Sequence, residues 1–220
     1  MLAITLASLL ALQADPSDWH PDDIRDVTVG LRLTGLGGQI DGEENWGEFF
    51  GTGIGLTLGG DYLWKTSRAG HAGVYARLSY DMFDGEEADL SDDLGTFILD
   101  QDEMSLFKVI VGGKLRQSFK VFFLEEQLGI GMVHYSSVDT TVTDDLGSFD
   151  AELLEGGVEF AFEIALRVGF YLSKAPDAPT LSMTFAYEQN GKPDLGDDFS
   201  DVDSEQQKNF VWTLGASFPF

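Results

Sequence analysis

The chain of 220 residues contains no cysteine. This absence excludes a disulfide-stapled scaffold and zinc sites with cysteine ligands. It is compatible with export to a periplasm, because a chain without thiols cannot be trapped there in wrong disulfides. Histidine is also scarce: His20, His71 and His134 are the three present, and none has a second histidine or a carboxylate at a metal-ligand spacing.

Basic residues are few, with 13 Lys and Arg against 38 Asp and Glu, so the formal net charge is −25. Nucleic acid is excluded as a partner on this ground, because phosphate binding needs clustered basic side chains. A strongly acidic surface favours solubility and attracts cations.

Long apolar runs are missing after the first residues, and no later stretch approaches the roughly 20 residues of a transmembrane helix. The run Leu2 to Leu12, followed by Ala14, predicts a signal peptide over residues 1–14 that is cleaved after Ala14. No Lys or Arg precedes this run, which leaves open a buried helix or a start further upstream. Residues 15–25 then form a short N-terminal periplasmic segment.

From Val27 onwards the dominant pattern is strict alternation of apolar and polar residues, which indicates β-strands with two different faces. The sixth segment is the clearest, with apolar residues at every second position from Val158 to Leu172. Eight such segments occur over residues 26–220. The fifth is irregular, because Glu126 falls in the apolar row, and a β-bulge near residues 123–126 would restore the pattern.

The orientation of the two faces decides between a soluble and a membrane-spanning barrel. Segments of about 10 to 14 residues suit a tilted bilayer crossing better than a globular strand. Aromatic residues gather at segment ends, where interfacial girdles lie: Tyr62, Trp64, Tyr80, Phe83, Tyr171, Tyr187 and Phe220. We therefore expect an all-β, eight-stranded antiparallel up-and-down transmembrane barrel. Its polar rows would fill the lumen with Arg32, Arg77, Asp81, Lys108, Lys114, Glu159, Glu163, Arg167 and Glu188. A secreted soluble barrel or a sandwich remains the alternative.

The connections alternate between long and short, as in outer-membrane barrels with long outer loops and short periplasmic turns. The long ones hold most of the carboxylates, whereas the short ones carry Lys65, Arg68, Lys120 and Lys174. Most of the negative charge is therefore expected on one rim.

A short repeat occurs in two consecutive long connections, as SDDLGTF at residues 91–97 and TDDLGSF at residues 143–149. A barrel would place the two copies side by side. Clustered carboxylates suit hard cations, so Asp92, Asp93, Asp144 and Asp145 are a candidate Ca²⁺ site. The alternative is a pair of similar turns with a solvated acidic face, and the spacing matches no EF-hand loop.

The last eight residues, TLGASFPF, resemble the C-terminal strand of bacterial outer-membrane barrel proteins in Thr213, Gly215, Phe218 and Phe220. With the signal peptide and the eight strands, the whole mature chain is similar to the OmpA/OmpX-type superfamily. The resemblance implies location in a bacterial outer membrane, contact with membrane lipid, recognition of this strand by the barrel-assembly machinery, and a monomer.

Three functional hypotheses follow. The first is a structural or surface-interaction barrel that is not an enzyme and needs no cofactor, since side chains fill an eight-stranded lumen. The second is a narrow channel or small-ligand binder. The third is a lipid A-modifying enzyme, because some small outer-membrane barrels use a serine and histidine on the lipid-facing rim, and His134 lies close to Ser136 and Ser137.

Overall fold

The computed structural model describes residues 22–40, 44–92, 95–144, 147–173, 178–199 and 206–220. Fourteen strands within these ranges are numbered in chain order. Eight of them close an antiparallel barrel: β1 (Asp23–Gly37), β4 (Gly53–Lys65), β5 (Gly70–Phe83), β8 (Met104–Ser118), β9 (Phe122–Tyr135), β12 (Gly157–Tyr171), β13 (Thr180–Asn190) and β14 (Lys208–Pro219). Each pairs with its barrel neighbours in sequence, and β14 closes onto β1. The predicted eight-stranded up-and-down barrel is confirmed.

The other elements lie in the four long loops at one end of the barrel. The first loop holds β2 (Gln39–Ile40), β3 (Glu44–Asn45) and a short helix, Trp46–Phe49. The second holds β6 (Glu87–Asp92) and β7 (Gly95–Gln101), the third holds β10 (Val138–Asp144) and β11 (Gly147–Leu154), and the fourth holds a 3-10 turn, Asp197–Phe199. In the parts of the chain so described, no helix combines the length and apolar character needed to cross a bilayer.

The strand register determines how steeply the strands cross the barrel. A path through cross-strand partners leaves β1 at Asp23, passes through Trp64, Glu126 and Trp212, and returns to β1 at Leu33, ten residues further along. A shear of this size in eight strands corresponds to a tilt of about 40°. Twelve residues at that tilt rise about 30 Å, the thickness of a bilayer's hydrocarbon core.

The bulky apolar rows point outwards along every barrel strand. Leu31, Ile54 and Leu214 are 62%, 66% and 60% exposed, and similar residues surround the barrel. An apolar surface that is continuous around a whole barrel is stable against lipid and costly in water. The orientation is therefore that of a transmembrane barrel, and the soluble alternative, in which these rows face inwards, is wrong.

Some local expectations are wrong. The pairing of β9 with both neighbours runs without a register shift from Phe123 to Tyr135, so no β-bulge is present and Glu126 stays in the outward row. Phe83 faces inwards and is fully buried, and the Tyr171 hydroxyl lies 3.0 Å from Ser118 Oγ, so neither belongs to a lipid-facing girdle. Strand β1 begins at Asp23, within the expected periplasmic segment 15–25, and the predicted signal peptide lies outside the described residues.

Candidate functional site

The lumen of the barrel is filled by ion pairs. Their basic members are Arg32, Arg77, Lys108, Lys114, Arg116 and Arg167, and their acidic members are Asp26, Asp61, Asp81, Glu125, Glu163 and Glu188. Six positive and six negative charges leave this network neutral. Such pairing is what allows charges to stay buried at all, because an isolated buried charge costs several kcal/mol or more.

The outer part of the network is centred on Arg32. Its guanidinium donates to both carboxylate oxygens of Asp81, at 2.9 and 3.1 Å, and to Glu188 at 2.9 Å. Lys108 bonds Glu188 and lies 3.7 Å from Asp81. Strands β1, β5, β8 and β13 are thus joined across the lumen by four side chains. Glu159 lies nearby at the outer end of β12, against Gly191.

The middle of the lumen is filled by Tyr75. Its hydroxyl donates to Glu163 Oε1 at 2.8 Å, and Arg77 pairs with the other oxygen of that carboxylate. The ring occupies space left free by glycine on the facing strand, because a Cβ at Gly129 would lie 2.3 Å from the Tyr75 hydroxyl oxygen.

The inner part of the network is centred on Glu125, whose side chain is fully buried. Its carboxylate accepts from Arg116, from Lys114 at 3.4 Å and from Arg167 at 3.2 Å. Asp61 pairs with Lys114 at 2.8 Å, and Asp26 pairs with Arg116 at 3.2 Å. Glu125 and its three cations lie on the adjacent strands β8, β9 and β12, whereas the Asp26–Arg116 and Asp61–Arg167 pairs cross the lumen. These charge-assisted contacts together close the inner end of the barrel.

The space left between the middle and inner groups is small. A cavity of about 30 Å³ is lined by Asp61, Tyr75, Arg77, Lys114 and Arg167 together with small residues of the wall. That volume holds about one water molecule and no larger solute.

The outer mouth is closed by apolar side chains that belong to the loops. Trp46, Phe49 and Phe50 of the first loop pack with Leu99 and Val142 of the second and third loops. We call the three aromatic side chains of the first loop the lid. From below, the inward residues at the strand ends complete this cluster: Phe83, Met104, Leu106, Val133 and Tyr135. The inward row therefore changes from charged to apolar towards the outer end of the barrel.

A group of buried amides lies between this apolar lid and the ion pairs. Gln207 Oε1 accepts from Asn190 at 2.9 Å, from Asn209 at 3.4 Å and from the Tyr135 hydroxyl at 3.3 Å. Asn190 Oδ1 and Gln207 Nε2 have no hydrogen-bond partner in the described parts of the chain. Buried groups of this kind normally bind ordered water.

The second and third loops join into one four-stranded sheet in the order β11-β10-β7-β6. The joint is the pairing of β10 with β7, in which Thr141 lies opposite Asp100 and Val142 opposite Leu99. We call this element the loop sheet. The expected side-by-side placement of the two loops is confirmed, and their pairing into a single sheet is a feature that the expectation did not include.

The loop sheet has one apolar and one acidic face. Ala88, Leu99, Val142, Ala151 and Leu153 are buried against the lid. The alternate residues point away from the barrel and are exposed: Glu87, Asp100, Asp139, Asp150 and Glu152. We call this outward surface the acidic face.

A groove of about 490 Å³ runs over the acidic face, lined by Asp100, Asp102, Asp139, Asp150 and Glu152 with Thr140, Thr141 and Ala151. Asp139 lies directly opposite Glu152, and Thr141 separates Asp100 from Asp150. In the described parts of the chain no basic side chain pairs with these five carboxylates. Like charges on neighbouring strands repel, so their arrangement lowers the stability of the sheet and favours binding of a cation.

The predicted Ca²⁺ site falls on the tips of the two hairpins. Asp93 and Asp145 lie outside the described residues, and only the backbone of Asp92 and Asp144 is described, at the ends of β6 and β10. The part of the chain that the structure describes contains no group of three or more potential metal ligands. The Ca²⁺ site stays a prediction.

The histidine and serines of the enzyme hypothesis lie at the outer end of β9. His134 is exposed on the lipid-facing row, opposite Phe107 and Val158. Ser136 Oγ accepts a hydrogen bond from the backbone N–H of Ser105 at 2.9 Å. Within the described residues, no hydrogen bond joins His134 to Ser136.

The C-terminal strand occupies the seam of the barrel. β14 pairs with β1 from Lys208 to Pro219 and with β13 from Lys208 to Ser217. Thr213 and Gly215 lie on its inward row, whereas Phe218 and Phe220 are exposed on the outside. Its recognition by an assembly machinery stays a prediction.

All nine lumen residues expected from the sequence lie on the inward rows. Four further members of the network are not among these nine: Asp26, Asp61, Arg116 and Glu125. The signal for Glu125 was available, because Arg116 and Lys114 precede it across a tight turn at residues 119–121. The loop sheet was also missed, although EADLS at residues 87–91 and FDAEL at residues 149–153 alternate as strands do.

No protein-family model matches the chain, and no curated protein matches it in sequence. Solved structures do match. The outer membrane protease OmpT from Escherichia coli is 11% identical, with 91% of this chain and 97% of that chain covered and a TM-score of 0.51. Neisserial surface protein A is 8% identical over 89% and 97%, with a TM-score of 0.49. Ail, the attachment invasion locus protein of Yersinia pestis, is 15% identical over 91% and 100%, with a TM-score of 0.48.

Similarity at this level of identity shows the fold alone. Together with the closed eight-stranded topology, it confirms the resemblance in fold to small OmpA/OmpX-type outer-membrane β-barrels.

Proposed function

We propose that this outer-membrane barrel is a surface-interaction protein that binds a cationic macromolecule, such as a lysine-rich peptide segment, on the acidic face of the loop sheet. The observation that carries the proposal is the pairing of β7 with β10, which unites two acidic hairpins into one surface. Neither hairpin alone would present the five-carboxylate groove.

The position of the loop sheet supports a binding role. Its apolar face is packed on the lid, which itself rests on the inward residues of the barrel. The carboxylates are therefore held on a scaffold that spans the membrane, and little conformational entropy is lost when a partner binds. The neutral lumen network leaves the chain's negative charge outside, where it can steer a cation towards the groove.

The filled interior of the barrel favours a closed structure and argues against a channel. Charged side chains from non-adjacent strands meet across the lumen, as Lys108 and Glu188 in its outer part and as Arg167 and Asp61 in its inner part, and the apolar lid covers the outer mouth. A solute would have to break several buried ion pairs to pass.

We also propose that the barrel is not an enzyme. Ser136 Oγ accepts a hydrogen bond from the Ser105 amide, and no base is hydrogen-bonded to it among the described residues. An activated serine needs a base within hydrogen-bond reach.

The test is binding of a fluorescent decalysine peptide to the barrel reconstituted in lipid vesicles. Replacing Asp100→Asn, Asp139→Asn, Asp150→Asn and Glu152→Gln together is expected to weaken binding by at least about tenfold. The wild-type affinity should fall steeply with added salt.

The matched control removes four exposed carboxylates from the same end of the molecule but outside the groove: Glu48→Gln, Asp84→Asn, Glu155→Gln and Asp194→Asn. Both variants change the net charge equally. If they lose binding to the same extent, the peptide responds to total charge and the proposed site is wrong.

A further inference from the structure

We propose a second binding site on the opposite, periplasmic end of the barrel, where Arg25 binds the phosphate of an anionic phospholipid of the inner leaflet and Gly60 makes room for one of its acyl chains. The site is formed by β1 and β4 and is independent of the loop sheet.

The cationic part of the site is Arg25. It is exposed on the outward row of β1 and lies opposite Tyr62 on β4, with its guanidinium carbon 5.3 Å from the centre of the Tyr62 ring. In the chain as described, no carboxylate pairs with this guanidinium. A planar guanidinium with free N–H groups suits a phosphate, which it can bind through two hydrogen bonds.

Neighbouring side chains hold Arg25 in place. The Tyr62 hydroxyl donates to Asp23 Oδ2 at 3.2 Å, and the Tyr62 ring lies 6.4 Å from the ring of Trp64. Tyrosine and tryptophan favour the boundary between hydrocarbon and headgroups. These rings place the guanidinium at the depth of the lipid phosphate.

The apolar part of the site lies one step further into the hydrocarbon. Val27 follows Arg25 on the outward row, and Gly60 lies opposite Val27. A Cβ at Gly60 would meet no heavy atom within 4 Å, and its other neighbour across the sheet is Ala76. The bulky surface is therefore interrupted directly above Arg25, which leaves a hollow for the first part of an acyl chain.

The cationic side chain of Arg25 favours an anionic lipid over a zwitterionic one, and the carboxylates of Asp22 and Asp23 lie at the same end of the barrel. Lys65 and Arg68 continue the basic character of the turn after β4, although Lys65 already pairs with Asp22 at 3.1 Å. The acidic loops are at the other end of the barrel. An anionic phospholipid such as phosphatidylglycerol has the matching charge, and each basic residue near a membrane surface is worth about 1 kcal/mol, or about fivefold in affinity.

The experiment is native mass spectrometry of the full chain released from detergent with added phosphatidylglycerol. The wild-type barrel is expected to retain one phosphatidylglycerol in preference to phosphatidylcholine with the same acyl chains, and to retain no diacylglycerol. Arg25→Gln is expected to weaken retention about fivefold. Gly60→Leu, which keeps all charges but fills the hollow, is expected to weaken it as well.

Two variants serve as matched controls. Lys120→Gln removes a cation from a different periplasmic turn, and Gly113→Leu fills an outward glycine on β8, away from Arg25. Retention equal to wild type in Arg25→Gln would overturn the phosphate site, and equal losses in Gly60→Leu and Gly113→Leu would overturn the acyl-chain site. Displacement of the lipid by inorganic phosphate alone would identify a free-phosphate site instead. A shift in SDS-gel mobility on boiling verifies that each variant is folded.

Discussion

At the residue scale, two neighbouring glutamates show how the strand period assigns opposite roles to identical side chains. Glu125 points into the lumen and binds Arg116, Lys114 and Arg167. Glu126 points outwards between Leu115 and Leu166 on the adjacent strands. One carboxylate is held by three cations, and the other lies half-buried on the lipid-facing row.

This contrast predicts stability effects of opposite sign. Glu125→Gln leaves three buried cations with too little negative charge, so we expect a loss of about 3–5 kcal/mol in the free energy of unfolding. Glu126→Gln removes a charge from the lipid-facing row and is expected to stabilise the barrel slightly, by up to about 1 kcal/mol. Urea unfolding of barrels folded into phospholipid vesicles measures both changes. Equal effects of the two substitutions would contradict the assigned orientations.

A glycine in the wall supports the packing of Tyr75. Gly129→Ala would place a methyl group 2.3 Å from the Tyr75 hydroxyl oxygen and 2.5 Å from Ile110 Cγ2, so that the tyrosine must move away from Glu163. We expect a loss of about 1–3 kcal/mol in the free energy of unfolding. The control is Gly60→Ala on the outer surface, which should change it by less than about 0.5 kcal/mol. The same urea titration compares them.

At the element scale, the loop sheet turns two connections into one structural unit. Four short strands share a single apolar face, and that face covers the lid of the barrel. A hairpin by itself is only marginally stable in water. Independent stability needs three or more strands with a buried apolar face. The pairing of β7 with β10 is therefore what makes the outer surface rigid.

The absence of cysteine allows a direct test of this pairing. Asp100→Cys combined with Thr141→Cys places thiols on residues that face each other across β7 and β10, within the distance that a disulfide spans. We expect this pair to oxidise readily, as measured by loss of free thiols and a shift on non-reducing gels. Glu87→Cys with Thr141→Cys is the matched control, since β7 lies between the two strands and should prevent closure.

At the scale of the whole molecule, charge is sorted by location. The lumen network is neutral, the band around the barrel is apolar, and the acidic face lies beyond the lid. The network spans the lumen and the loops cover one end, which supports the proposal that the barrel is a closed anchor for an external surface.

Because the lumen is closed, we expect the barrel to conduct no ions. In planar lipid bilayers the wild-type barrel is expected to show no reproducible open-channel steps, because buried ion pairs cross the lumen and the apolar lid covers its outer mouth. Regular single-channel currents would contradict the plugged lumen and favour the channel hypothesis. A barrel that remains folded in SDS until it is boiled would verify that the non-conducting sample is correctly assembled.

The amino-acid sequence by itself predicted the barrel and the inward position of Arg32, Lys108 and Glu188, and it favoured the membrane-spanning orientation without excluding the soluble one. Those features depend on the alternation of apolar and polar residues within a strand. Alternation is a local property that can be read from the sequence without knowing which strands pair. The irregular fifth segment was the exception, because Glu126 in the apolar row obscured the register and led to a bulge that is not there.

Only the tertiary structure decided which charges meet, how the loops pair and where a lipid-binding surface arises. The residues of these contacts are far apart in the chain: Arg32 and Glu188 are 156 positions apart, and Tyr75 and Glu163 are 88 apart. Contacts of that kind depend on strand order, shear and loop packing, which no local pattern encodes. The carboxylates of the acidic face can be identified from the sequence. Their arrangement as one groove exists only because β7 and β10 lie side by side.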